Sequence, residues 1–146
     1  MIFVCAMTMA QTNAYPLLPM PQNYKVTDKS FAMGKVKLST PVLKSEWEAF
    51  IVNAGGELAD KAAAEIKVEL LPVIDGVKLN PDEAYRLSVS GKLIKIEAVT
   101  ERGVYWALQT LRQLEKKKGK KSLFAGCEIV DWPAFRIRGF MQDVGR

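Results

Sequence analysis

Histidine is missing from all 146 residues. That removes the side chain that most often serves as a general base near neutral pH and most often ligates a metal. Cysteine is almost missing too. Cys5 and Cys127 stand alone, outside any CxxC pair, so neither a zinc site nor another metal site is expected, and no cofactor is expected either. No apolar run reaches the ~20 residues that a bilayer-spanning helix needs. Charge of one sign is scarce except in one place. The run Glu115–Lys121, EKKKGKK, holds five lysines and one glutamate, so it supplies +4 of the formal +5. No aromatic residue interrupts it, which argues for a solvated face rather than a nucleic-acid patch. The lysines would suit the end of a helix, where cations complement the dipole.

What remains is a globular composition, 49% hydrophobic and 25% charged, enough for one domain of common size. Met1–Ala14, MIFVCAMTMAQTNA, is uncharged and apolar as far as Ala10. A short apolar run followed by small residues reads as an export signal over residues 1–14, cleaved after Ala10 or Ala14. The basic residues that usually precede such a core are missing, and a buried first element is the alternative. A lipoprotein anchor on Cys5 is not expected, because Val4 occupies a position where a small residue belongs. Cys127 is expected as a small buried hydrophobe in a strand.

Proline-rich Tyr15–Gln22, YPLLPMPQ, predicts an extended segment. Short strands are expected at 24–26 and 36–38. Thr40 and Pro41 look like the cap and first position of a helix running to about 54, with Trp47, Phe50 and Ile51 inward and Gly55-Gly56 as its stop. Alternation predicts strands at 65–71, 85–89 and 93–98, the last two joined through Ser90-Gly91-Lys92 as a hairpin. Thr100 caps a second helix over 101–117, whose Val104, Ala107, Leu108, Leu111 and Leu114 follow a 3.6-residue period. A last strand is expected at 123–129. Asp82 and Glu83, adjacent carboxylates after Asn80-Pro81, read as a turn and not as a catalytic pair. The order β-β-α-β-β-β-α-β predicts an α+β domain, a small sheet with two helices on one face.

Two stretches carry a family resemblance. Glu83–Leu114, EAYRLSVSGKLIKIEAVTERGVYWALQTLRQL, is similar to the small domain that precedes the barrel in glycoside hydrolase family 20, with Thr110–Leu114 as its TLRQL-like phrase. Asp131–Phe135 resembles that family's D-x-P-x-F linker. Arg138–Arg146, RGFMQDVGR, resembles its first barrel strand, RG-x-x-x-D-x-[SG]-R, with Gln142 departing from the usual aliphatic residue. The resemblance implies an exported β-N-acetylhexosaminidase, with a non-catalytic domain over 15–133 and the first strand of a truncated (β/α)8 barrel over 134–146. It implies that Arg146 binds hydroxyls of the sugar in the innermost subsite and that Asp143 supports it from behind. A guanidinium suits that role through its fixed fork of donors.

The same resemblance implies a retaining mechanism in which the substrate's 2-acetamido oxygen attacks the anomeric carbon, a glutamate acts as acid and base, and an aspartate orients the acetamido group. That Asp-Glu pair has no counterpart before Arg146, so this chain alone is expected to be inactive. The implied partners are glycans or chitooligosaccharides ending in N-acetylhexosamine, with no nucleic acid. Two other readings stay open. One is the front domain of another glycosidase, α-glucuronidase-like or O-GlcNAc hydrolase-like. The other is a free-standing carbohydrate-binding or interaction module.

Overall fold

The fold is a computed structural model that describes residues 16–139. Ten strands, two α-helices and one 3-10 turn are present among them. The strands are β1 (Asn23–Val26), β2 (Phe31–Ala32), β3 (Lys35–Ser39), β4 (Glu57–Leu58), β5 (Ala64–Leu70), β6 (Tyr85–Ser90), β7 (Leu93–Ala98), β8 (Glu115–Lys118), β9 (Lys121–Phe124) and β10 (Cys127–Asp131). The helices are α1 (Lys44–Asn53) and α2 (Glu101–Gln113), and the 3-10 turn spans Pro81–Glu83. Seven strands form one sheet in the order β1-β10-β6-β7-β5-β3-β4, and β2, β9 and β8 form a second. In the large sheet β4, β3, β5 and β7 run parallel, while β1, β10, β6 and β7 pair antiparallel.

The pleat sorts this sheet into two faces. Leu87 lies opposite Ile96 and Ile129, Val89 opposite Ile94 and Cys127, and Ile66 opposite Ile94. All are buried, and with Trp47, Phe50 and Ile51 of α1 and Val104, Leu108 and Leu111 of α2 they form one core. The expectation of a mixed α and β domain with two helices is met, but the one small sheet expected is a seven-stranded sheet and a separate three-stranded one, because β2, β8 and β9 pair among themselves. The opposite face is a charge ladder. Arg86 pairs with Glu97 at 3.2 Å, Lys95 with Glu97 at 2.6 Å and with Glu69 at 3.1 Å, and Lys67 with Glu69 at 2.7 Å.

Several expected boundaries move, each for a local reason. α1 begins at Lys44, not Pro41. Thr40 spends its hydroxyl on Val42, accepting from the amide and donating to the carbonyl, and Leu43 takes a left-handed conformation (φ 53°) before the helix starts. The stop at Gly55 stands: the Gly56 amide reaches the Ile51 carbonyl and the Gly55 amide the Val52 carbonyl, a Schellman end with Gly55 at φ 76°. α2 ends at Gln113, not 117. The lysines after it form β8, which hairpins onto β9. This places the basic run at the end of the other helix instead, since Lys117 donates to the Asn53 carbonyl and Ser122 to that of Ala54. The single strand expected over 123–129 is two strands in two sheets, divided at Ala125-Gly126. A side chain at Gly126 would meet the Lys29 carbonyl at 2.4 Å.

Candidate functional site

The sugar-binding residue expected at Arg146 and its supporting Asp143 lie outside the described residues, as do residues Phe140–Gln142 of the expected barrel strand and the export signal expected over 1–14 with Cys5. Ile137–Gly139, expected to open a barrel strand, carry no strand. Among the described residues no cluster of His, Cys, Asp or Glu could hold a metal, and no helix is long and apolar enough to cross a membrane. Cys127 is unpaired and buried in β10, and burial pushes its thiol up to about 12, so it is chemically inert as well as enclosed.

The place where functional side chains do gather is one end of the domain. There the incoming segment Pro16–Gln22, the outer side of α2, the 3-10 turn and the outgoing segment Trp132–Gly139 meet around a cleft of about 550 Å³. Leu17 anchors the incoming segment in the core. Gln113 of α2 then clips it reciprocally, accepting from the Leu18 amide at 2.9 Å and donating to the Leu18 carbonyl at 3.0 Å. The Gln22 amide donates to Asp131 at 3.0 Å. At the cleft floor the Tyr85 hydroxyl sits 2.6 Å from the Thr110 hydroxyl and donates to Asp131 at 3.3 Å. Burial raises the Asp131 carboxyl above its ordinary value, against the hydrogen bonds from Gln22, Trp132 and Tyr85, and it raises the Tyr85 phenol as well.

The outgoing segment is held by the 3-10 turn. Trp132 packs beside Ile74 and Ala84, and every described residue from Ala134 onward is exposed. Asn80, left-handed at φ 45°, donates its side-chain amide to the Pro133 carbonyl at 2.7 Å. Glu83 receives the Trp106 indole N–H at 2.8 Å and the Arg138 guanidinium at 2.5 Å on the same oxygen. Arg138 also lies 5.8 Å from the Trp106 ring centre, within cation-π range, and donates to the Phe135 carbonyl at 2.8 Å. The Arg138 hydrogen bond holds the Glu83 carboxyl below its usual value.

This arrangement binds chain to chain. The two carboxylates that line the cleft, Glu83 and Asp131, are each taken up by protein donors, Trp106 and Arg138 on the first and Gln22 and Tyr85 on the second. Asp82 and Glu83 fall on the 3-10 turn, in line with their reading as a turn, and Asp82 faces Arg102 at 3.6 Å instead. Sequence reasoning missed the role of Glu83, because its partners lie 23 and 55 residues away. The signal that could have found it is the aromatic pair Tyr105-Trp106, which falls off the apolar period of Val104, Ala107, Leu108 and Leu111.

The model of the family "Glycosyl hydrolase family 20, domain 2" matches residues 14–132. A β-hexosaminidase of Vibrio furnissii is 36% identical over 87 residues, which cover 60% of this chain and 13% of that protein. The crystal structure of the GH20 exo β-N-acetylglucosaminidase of Vibrio harveyi in complex with N-acetylglucosamine superposes with a TM-score of 0.64 at 29% identity, over 85% of this chain and 20% of that one. CpGH84B superposes at a TM-score of 0.68 with 20% identity, over 86% of this chain and 24% of that one, a likeness of fold alone. The chain thus spans about a quarter or less of the length of these proteins.

Proposed function

Because the chain belongs to glycosyl hydrolase family 20 and carries its domain 2 over residues 14–132, we propose that it is the amino-terminal, non-catalytic part of an exported β-N-acetylhexosaminidase. The observation that carries this is the family match over the domain, followed at once by the outgoing segment that leads into RGFMQDVGR. In this reading residues 15–133 are the small domain and 134–146 begin the catalytic barrel. Barrel enzymes build their sites at the carboxyl ends of the strands. Asp143 and Arg146 fall at that end of the proposed strand, and Arg138 at the other. Arg146 then holds hydroxyls of a terminal N-acetylhexosamine on a glycan or chitooligosaccharide. The Asp-Glu pair that orients the 2-acetamido group and moves the proton lies later in the barrel, and the reaction retains configuration.

A front domain of a different glycosidase is the second reading. The sequence of the 138–146 stretch separates the two. The test is hydrolysis of aryl β-N-acetylglucosaminides. A protein continuing from this chain through the barrel should hydrolyse them with retention, and the 146-residue chain should not. Turnover by the 146-residue chain itself would overturn the assignment of this domain as non-catalytic.

A further inference from the structure

The 3-10 turn touches the outgoing segment twice, through Asn80 on the Pro133 carbonyl and through Glu83 on Arg138. The turn itself is fixed from behind, because Thr100, the N-cap of α2, donates its hydroxyl to the Asp82 carbonyl. Glu83 is thus tied to α2 by two routes, the Thr100 bond through the turn and the Trp106 indole directly. Its side chain is only 13% exposed, although it stands where the domain surface ends. Arg138 lies between a carboxylate and an aromatic face, and its bond to Phe135 bends the segment back on itself. A flexible tail would need none of these contacts. Three hydrogen bonds and one ring contact involve the seven residues Pro133–Gly139, which have no strand or helix of their own.

We propose that the 3-10 turn is a latch, with Glu83 as its positioning residue: held by Trp106 and closed on Arg138, it sets the direction in which the chain leaves the small domain. This deepens the reading given above, since the direction matters because a catalytic part follows. A surface ion pair alone would do little. Here the carboxylate is largely enclosed and takes two charge-assisted or N–H donors on one oxygen, which gives the contact a geometry as well as an energy. The turn that looks inert in the sequence becomes the hinge post between the two parts.

The experiment follows chymotryptic cleavage after Phe135, an exposed site inside the latched segment. In the 146-residue chain, Glu83→Gln keeps the shape and removes the charge. It should speed cleavage about tenfold, the loss expected for a hydrogen bond to a charged group, with the melting temperature within about 2 °C of wild type. Trp106→Phe should give a smaller acceleration. Glu83→Arg and Arg138→Glu should each match or exceed Glu83→Gln, and the double variant Glu83→Arg/Arg138→Glu should return the rate to within about threefold of wild type. Unchanged cleavage in Glu83→Gln, or a double variant no slower than the singles, overturns the latch. The same cleavage assay in a protein that includes the barrel should give the same order. If that wild-type protein fails to hydrolyse aryl N-acetylglucosaminides, the enzymatic reading falls while the cleavage result still decides the latch.

Discussion

Of the three arginines near the end of this chain, Arg138 and Arg146 take different partners in the proposed reading, and the contrast is chemical. Arg138 is satisfied by the protein itself, by Glu83, the Phe135 carbonyl and the Trp106 ring. Arg146, in the proposed reading, keeps its donors for a sugar. A hydrogen bond to a charged group contributes roughly 1.5–3 kcal/mol, so in the longer enzyme Arg146→Ala should lower kcat/KM by about 10- to 150-fold with little change in Tm. Arg146→Lys should not restore it, since a single ammonium cannot reproduce the fork. Arg138→Ala should leave kcat/KM close to wild type and lower the Tm of the longer protein. Measuring both quantities for the three variants separates substrate contact from structural anchoring. Wild-type kcat/KM in Arg146→Ala would remove the residue from the site.

At the scale of elements, α2 is the part on which everything else is hung. Its inner side enters the core and its outer side carries Trp106 and Gln113, which hold the outgoing and incoming segments. It can approach the start of β6 so closely only because its first turn contains Gly103. A Cβ there would stand 2.2 Å from the Ala84 carbonyl and 3.0 Å from the Ala98 side chain. Alanine is the better helix former by about 1 kcal/mol. Overpacking against backbone costs roughly 1–3 kcal/mol. The carbonyl cannot rotate aside as a flexible side chain could, so the second effect wins. Gly103→Ala should therefore lower Tm despite its higher helix propensity. A Tm equal to or above wild type in a thermal melt would contradict the close packing described.

For the molecule as a whole, carboxylates set the pH response, and they do not all act in one direction. Glu69 is held low by hydrogen bonds from Lys67 and Lys95, and Glu83 by Arg138. Burial would raise Glu97 and Glu115, but the lysine and arginine partners of Glu97, and Lys117 and Ser122 around Glu115, outweigh it and leave both lowered. A lowered folded pKa gives stability that is present above the unfolded value, 4.5 for these groups, and is lost as pH falls through the folded values. Asp131 is the reverse. Its raised pKa gives stability below its unfolded 3.8 that is lost as pH rises through the folded value. The urea midpoint should accordingly fall on acidification below about pH 4.5. Asp131→Asn should raise the midpoint at pH 7, where wild type carries a half-buried charge, and the gain should shrink at pH 3. An equal gain at both pH values would show that burial of the charge is not its source.

Part of this was fixed by local chemistry that a sequence displays directly. The alternation of 85–90 and 93–98, the 3.6-residue period of α2, its Thr100 cap and the Gly55 stop of α1 all act within a few residues, so each is legible before any fold is known. The family likeness is legible too, because it is a matter of residues at fixed spacing. Partner choice is not. Whether β5 pairs parallel with β7 or lies beside β6, whether EKKK prolongs a helix or forms β8, and whether residues 123–129 are one strand or two depend on what distant segments offer in hydrogen bonds and apolar surface. Glu83 is the sharpest case. Locally it is one of two carboxylates in a turn; only when the chain has folded does it find Trp106 on one side and Arg138 on the other. Short-range sterics and hydrogen bonds write the elements into the sequence, whereas long-range contacts gain their energy only once the chain entropy of bringing them together has been overcome, and that balance is struck by the tertiary structure.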